Sequence, residues 1–108
     1  MRVLVKNPGK DPQTMVITNN LHLLQQLVDG PIEVHTLTDG LVMIVNEEGK
    51  LKGLEPNFYV DRLKDTILGT AIFCGEEGED LTDISDYDLT VLQTFFSLEP
   101  IIMEVTNE

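Results

Sequence analysis

The chain has 108 residues, and its 19 Asp and Glu against seven Lys and Arg give a formal net charge of −12 at pH 7. A charge of this sign repels nucleic acid and anionic membranes and favours a basic partner. The length fits one domain. A single cysteine excludes an internal disulfide and a cysteine-based zinc cluster, so we expect a reduced, cytoplasmic setting.

The first residues predict a hairpin. Arg2–Lys6 alternates around two valines, as a strand would, and residues 13–18 predict a second strand. Residues 7–9 read Asn-Pro-Gly, which is typical of a chain reversal, because Pro fixes one dihedral angle and Gly accepts positive φ.

Leucines and a valine at helical spacing predict a helix of about ten residues after this hairpin. Asn19 or Asn20 is placed to cap its first turn, since a short amide side chain accepts a hydrogen bond from a free N–H group there. Gly30 is expected to end the helix in a left-handed conformation, and Pro31 prevents its continuation.

Two more strands are predicted around a tight turn. Apolar residues at 32, 34 and 37 predict the first of them, and Asp39-Gly40 is a strong hairpin signal. Residues 41–45 are apolar throughout, which predicts a central strand that is buried on both faces.

The middle of the chain gives weaker signals. Residues 46–50 predict a turn, and residues 51–61 are expected to be mostly irregular, because Gly, Pro and Asn break any period. Residues 66–74 predict another strand. Gly69 inside it indicates a bulge or a close backbone approach.

The C-terminal part predicts a second helix. Residues 75–80 form an acidic turn, after which Thr82 or Ser85 is placed to cap a helix with apolar residues at helical spacing. Pro100 is expected to interrupt this helix, and residues 101–105 predict a short edge strand. These elements predict one α+β domain, with a mostly antiparallel sheet of about five strands and two helices packed on it.

The charge is concentrated late in the chain. Residues 1–64 hold seven basic and eight acidic residues, a sum of −1, whereas residues 65–108 hold eleven acidic residues and no basic one, a sum of −11. We predict that the densest part of this run is a partner-binding surface, formed by Glu76, Glu77, Glu79, Asp80, Asp83, Asp86 and Asp88. Asp86 and Asp88 also have a structural interpretation, because carboxylates interact favourably with the N-terminus of a helix.

No motif in the chain predicts catalysis or a bound metal. The acidic run does not follow the ligand spacing of a calcium-binding EF-hand. Neither His22 nor His35 has a second ligand at zinc spacing, and Cys74 can pair with His35 only if two strands bring them together. We therefore expect a non-enzymatic protein without a cofactor. No apolar run reaches the roughly 20 residues of a membrane helix, and the N-terminus does not resemble a signal peptide.

Lys50 and Lys52 offer an alternative site. They lie in the loop of residues 46–57, and their amines predict a contact with an anionic group such as a nucleotide signal. The simpler interpretation is a solvated hairpin tip followed by a chain crossing.

Three segments carry a resemblance to a known family. They are residues 3–10 (Val-Leu-Val-Lys-Asn-Pro-Gly-Lys), residues 39–51 (Asp-Gly-Leu-Val-Met-Ile-Val-Asn-Glu-Glu-Gly-Lys-Leu) and residues 67–73 (Ile-Leu-Gly-Thr-Ala-Ile-Phe). Residues 24–33 also fit. The chain resembles the small phage and mobile-element family catalogued as domain of unknown function 3846. The resemblance implies an accessory gene of a phage or mobile element, and it carries over no catalytic residues.

The expected function is therefore binding. We expect an acidic accessory protein that inhibits a host defence protein in the host cytoplasm, by presenting carboxylates to a basic surface that otherwise binds nucleic acid. A nucleotide-sequestering protein that uses the two lysines and a structural homo-oligomer remain alternatives.

Overall fold

The computed structural model describes the backbone of residues 1–106 and the side chains of residues 1–97. In chain order the elements are β1 (Arg2–Lys6), β2 (Gln13–Val16), α1 (Leu21–Val28), β3 (Ile32–Thr38), β4 (Leu41–Asn46), α2 (Gly49–Lys52), β5 (Pro56–Val60), a 3-10 turn (Asp61–Leu63), β6 (Asp65–Leu68), β7 (Ala71–Glu77), β8 (Asp80–Thr82) and α3 (Asp86–Thr106).

The main sheet has the strand order β2-β1-β7-β4-β3, and every neighbouring pair is antiparallel. β8 pairs with residues 75–77 of β7, whereas β1 pairs with residues 71–73 of the same strand. β5 and β6 form a separate two-stranded antiparallel sheet. The predicted α+β class with a mostly antiparallel sheet is confirmed, although the described residues form more strands than expected.

Both faces of the main sheet are covered. β4 and the first five residues of β7 are apolar at nearly every position, β1 is apolar at its three central positions, and almost all of these residues are buried. Because successive side chains of a strand point to opposite faces, these strands supply two cores. α1 packs on one face through Leu24 and Val28, and α3 and the β5–β6 hairpin pack on the other through Phe96 and Phe58. The sheet is thus the middle of three layers.

α1 begins as predicted and ends differently. The Asn20 side chain accepts a hydrogen bond from the backbone N–H of Leu23 at 3.1 Å, which confirms the cap. The left-handed residue is Asp29 (φ 65°), so the prediction that Gly30 would take this role is wrong. The left-handed residue comes one position before the predicted one. The end of the helix is stabilised there because the buried side chain of Asn46 donates to the carbonyl oxygens of Val28 and Asp29, both at 3.0 Å.

The predicted turns at residues 7–9 and at Asp39-Gly40 are confirmed, whereas the turn predicted at residues 46–50 is confined to residues 47–48, because β4 ends at Asn46 and α2 begins at Gly49. The backbone N–H of Lys10 donates to the carbonyl of Asn7 at 3.2 Å and closes the first reversal, after which β2 ends at Val16. The turn at Asp39-Gly40 joins β3 to β4, with Gly40 at φ 80°.

The prediction that residues 51–61 are mostly irregular is wrong. They include the end of α2 and the whole of β5, which pairs with β6. The Asn57 side chain donates to the carbonyl oxygens of Lys6 (2.7 Å) and Gly69 (2.8 Å), and these bonds hold β5 against the end of β1. Gly69 (φ 83°) does more than form a bulge, because it divides the single strand predicted at residues 66–74 into β6 and β7.

The C-terminal part also differs from expectation. The predicted acidic turn at residues 75–80 is largely strand, since β7 continues to Glu77 and β8 begins at Asp80. α3 runs to Thr106 past Pro100, so the predicted interruption and the edge strand at residues 101–105 are wrong. A proline removes one N–H donor from a helix and its ring crowds the carbonyl oxygen four residues earlier, yet the backbone of α3 stays helical across it. The spacing of the apolar residues at 101 and 105 also fits a helix. Within the described part of the chain, no helix has the length and apolar character needed to cross a membrane.

Candidate functional site

The seven predicted carboxylates (Glu76, Glu77, Glu79, Asp80, Asp83, Asp86 and Asp88) lie on consecutive elements at one end of the main sheet; we call them the acidic surface. Four belong to the β7–β8 hairpin, where Gly78 (φ 63°) allows the turn and Glu77 pairs directly with Asp80. Like charges directly opposite one another weaken a strand pair. The hairpin therefore carries these two carboxylates at a cost to its own stability.

Of the other three carboxylates, Asp83 lies in the segment between β8 and α3, and Asp86 and Asp88 lie at the start of α3. Ser85 caps this helix, as predicted: its hydroxyl oxygen accepts from the N–H of Asp88 at 3.1 Å. Asp86 and Asp88 occupy the first turn, where the helix dipole favours a negative charge. The first turn of α3 thus gives two of the seven carboxylates a structural role as well.

Arg2 is the only basic residue that forms an ion pair with the acidic surface among the side chains of residues 1–97. Its guanidinium lies 2.8 Å from Asp86 and also donates to the carbonyl oxygen of Ile84, and its backbone N–H donates to the Asp83 carboxylate at 2.7 Å. Arg2 thus fastens the start of α3 to β1. The other five carboxylates have no basic side chain as an ion-pair partner among these residues.

Lys6 does not neutralise the acidic surface, because β1 carries it to the opposite end of the sheet. There its ammonium group donates to the carbonyl oxygen of Asn7 (2.9 Å) and the side-chain oxygen of Asn57 (3.0 Å). It also lies 5.6 Å from the centre of the Phe96 ring.

Asp39 also lies next to the acidic surface, and the sequence did not predict this position. The backbone N–H of Glu76 donates to the carbonyl of Gly40 at 3.0 Å, so the β3–β4 turn with Asp39 lies beside the β7–β8 hairpin. The signal that predicts this contact is the apolar character of residues 41–45 and 71–74, because two wholly apolar strands tend to be neighbours inside a sheet.

Lys50 and Lys52 lie on α2, and both amines already have partners. Lys50 forms a 2.6 Å hydrogen bond and ion pair with Asp65. Lys52 donates to the carbonyl of Asp29 at 3.0 Å and lies 3.8 Å from Glu48. These contacts fasten α2 to its neighbours.

A cleft of about 460 Å³ lies between α2, β6 and the edge strand β3. Its charged lining includes Glu33, His35, Glu47, Glu48, Lys50 and Asp65. Acidic groups outnumber basic ones there, so the charge of the cleft disfavours a nucleotide.

Replacing Lys50 by methionine is expected to raise the pKa of Asp65. The hydrogen bond from Lys50, helped by its charge, holds this pKa below the ordinary value of 3.8. The folded pKa therefore lies below the unfolded one, so the stabilisation from the pair is present above the unfolded pKa and is lost as the pH falls through the folded pKa. NMR titration of the Asp65 carboxyl carbon measures the change. Lys52→Met is the matched control and should leave Asp65 unaffected; equal values in both variants would contradict the assignment.

The sheet separates Cys74 from His35. Cys74 pairs with Val42 and packs under α1, whereas His35 pairs with Met43, which belongs to the opposite core. Directly paired residues share a face, so no Cys–His pair forms. Burial, with a smaller effect from the charge of Glu76, raises the pKa of the Cys74 thiol to about 11 and keeps it protonated at neutral pH.

The histidines do not build a site either. His22 is exposed on α1, and Nε2 of His35 lies 3.4 Å from the Glu33 carboxylate. Within the part of the chain that the structure describes, no three His, Cys, Asp or Glu side chains gather into a group able to hold a metal ion.

Comparison with known families gives one match. The family model of the Domain of unknown function (DUF3846) matches residues 1–97, which is most of the chain and includes the whole acidic surface. The chain belongs to this family. No curated protein and no solved structure matches it.

Proposed function

We propose that this protein is a non-enzymatic accessory protein of a phage or mobile element, whose acidic surface binds a basic host protein. The observation that carries the proposal is the set of five carboxylates (Glu76, Glu77, Glu79, Asp80 and Asp88) at one end of the sheet, none of which forms an ion pair with a basic side chain among residues 1–97. Carboxylates that are not neutralised within the protein remain available to arginine and lysine of a partner.

The partner surface in this proposal is one that otherwise binds nucleic acid. Such surfaces present Arg and Lys to phosphate oxygens, and a carboxylate offers the same charge sign and accepts the same paired hydrogen bonds from a guanidinium group. The partner is a host defence protein, and the binding takes place in the host cytoplasm. The protein then competes with nucleic acid for the site, and no covalent chemistry is required.

The hairpin carboxylates have a support suited to this role. Arg2 holds the segment after β8 onto β1, and Ile84, which directly follows Asp83, is fully buried in the core. A surface fixed in this way loses little conformational entropy when it binds. Attraction between opposite charges also accelerates association, and salt weakens it because the Debye length is only about 10 Å at 0.1 M.

The test compares two triple variants that change the net charge equally. Glu77→Gln, Glu79→Gln and Asp80→Asn alter the hairpin, whereas Asp11→Asn, Glu47→Gln and Glu55→Gln alter exposed positions elsewhere. Binding to a panel of purified basic nucleic-acid-binding proteins is measured at about 50 mM and about 300 mM salt, with nucleic acid as competitor.

We expect the hairpin triple to weaken binding about 10- to 100-fold at low salt, and the control triple by no more than about threefold. Nucleic acid should displace the wild-type protein from its partner. Equal losses in the two triples, or binding that is insensitive to salt, would refute a role for this surface.

A further inference from the structure

An apolar groove of about 430 Å³ lies between α3, β5 and the C-terminal half of β3, next to the acidic surface. The apolar groove is lined by Leu37, Met43, Phe58, Tyr59, Val60, Asp61, Phe73, Val91, Leu92, Phe95 and Phe96. Ten of these eleven side chains are aliphatic or aromatic, so water inside the groove has few hydrogen-bonding partners. Its occupation by apolar groups is therefore favourable.

The floor of the apolar groove is fixed and its walls are exposed. Phe58, Phe73 and Phe96 form the floor, with ring centres 5.0 to 6.0 Å apart. On the walls, Tyr59 is 50% exposed and Phe95 is 44% exposed. Large side chains that stay half exposed around a rigid aromatic floor are typical of a surface that another molecule covers.

The wall on α3 has the spacing of a helix-binding surface. Val91 (46% exposed) and Phe95 lie four residues apart, so they project from successive turns of the same helix face. A partner helix with apolar residues at i, i+3 or i+4, and i+7 has a stripe with the same repeat.

The groove is continuous with the acidic surface. Asp88 lies three residues before Val91, one turn earlier on the same side of α3. Asp61 lines the opposite wall, where Lys64 lies 3.1 Å from it. The unneutralised negative charge thus lies at the end of the groove nearest the start of α3.

This charge also decides against a second copy of the chain as occupant. Each copy carries a net charge of −12 and the same carboxylates beside the groove. Pairing two such surfaces brings like charges together and opposes association. A basic occupant meets no such cost at the end beside Asp88. Its positive groups belong at that end, because Arg62 donates to the carbonyl oxygen of Leu37 at the other wall.

We propose that the apolar groove binds an amphipathic helix of the basic partner, with the apolar stripe of that helix in the groove and its Lys or Arg residues against Asp88 and the β7–β8 hairpin. This inference rests on the proposed function and specifies the partner. Apolar burial supplies the salt-resistant part of the affinity, and the carboxylates supply the salt-sensitive part.

The test uses three synthetic peptides of about 18 residues, long enough for several helical turns. The first has a leucine and phenylalanine stripe at helical spacing and lysines elsewhere. The second has the same composition with the apolar residues spread around the helix. The third keeps the stripe and replaces lysine by glutamine. Fluorescence anisotropy gives the Kd of each peptide at low and high salt.

The protein variants are Phe95→Gln and Val91→Gln, which leave the charge unchanged and suit a helix. Leu51→Gln is the matched control, because Leu51 is an exposed helical leucine outside the groove. We expect Phe95→Gln to raise the Kd of the first peptide about tenfold and Val91→Gln about fivefold, with Leu51→Gln within about twofold. The second and third peptides should bind the wild-type protein at least about tenfold more weakly than the first.

The outcomes separate this inference from the proposed function. If both groove variants bind the first peptide as the wild type does while the hairpin triple does not, the groove assignment is wrong and the acidic surface stands. If the groove variants lose binding and the hairpin triple does not, the β7–β8 hairpin is not the contact and the proposed function fails at these residues. If sedimentation shows a wild-type dimer that Phe95→Gln converts to a monomer, a second copy covers the groove and the inference is overturned.

Discussion

Replacing Phe96 by alanine is expected to destabilise the protein by about 3–5 kcal/mol, the usual cost of removing a buried aromatic ring. The Phe96 side chain is only 6% exposed, and its ring centre lies 5.0 Å from that of Phe58 and 5.8 Å from that of Phe73. It therefore joins α3, the β5–β6 hairpin and the main sheet in one cluster. Since domains of this size are stable by about 5–15 kcal/mol, the loss removes a large share of the total.

The neighbouring residue provides the matched control. Phe95 is 44% exposed and contacts Phe96 edge-on at 5.1 Å, so Phe95→Ala should cost about 1 kcal/mol or less. Chemical denaturation followed by far-UV circular dichroism measures both variants. Similar costs for the two would mean that Phe96 is not the residue that anchors α3.

Replacing Gly75 by alanine is expected to destabilise the protein by about 2–4 kcal/mol and to loosen the acidic surface. A Cβ atom at this position overlaps the backbone carbonyl oxygen of Asp83, and it also lies 3.1 Å from the Thr82 side chain. The segment of residues 83–84 cannot easily move away from the added Cβ atom, because two hydrogen bonds tie it to Arg2. The N–H of Ile84 donates to the carbonyl oxygen of Arg2 at 2.9 Å, and the N–H of Arg2 donates to the Asp83 carboxylate. Denaturation and amide hydrogen exchange of β8 measure the two effects.

A second glycine of the same hairpin separates this clash from a general effect of substitution. Gly78 has φ 63°, and no neighbouring atom lies within 4 Å of the place that a Cβ atom would take. Gly78→Asn therefore meets only a left-handed backbone, which asparagine tolerates. Its cost should stay below about 1 kcal/mol. If Gly75→Ala lowered the free energy of unfolding no more than Gly78→Asn does, the close approach of Asp83 to Gly75 would not contribute to stability.

Local chemistry made part of the fold predictable from the sequence. The hairpin turn at Asp39-Gly40 and the helix caps at Asn20 and Ser85 depend on residues close together in the chain, and the structure confirms all three. β5 was missed because its pairing with β6 and the bonds of Asn57 to Lys6 and Gly69 come from distant positions. Nothing in the composition of residues 56–60 indicates those partners.

The candidate site also has a part that the sequence predicted and a part that depends on distant residues. The carboxylates of the acidic surface were identified from charge density, and they do lie on adjoining elements of the structure. The part played by Arg2 could not be predicted, since 84 positions of sequence separate it from Asp86. The apolar groove was missed for a related reason: β3, β5 and α3 each contribute a part, and no single segment shows the pattern.

The position of β7 has a consequence for how the chain folds. β7 lies between β1 and β4, so the hairpins β1–β2 and β3–β4 have no contact through the sheet until residues 71–77 are in place. Contacts between residues nearly 70 positions apart, such as Leu4 with Phe73, close large loops and slow a folding reaction. During synthesis the two hairpins therefore cannot join into one sheet until β7, the strand that carries Glu76 and Glu77, has left the ribosome, and β8 and α3 follow it.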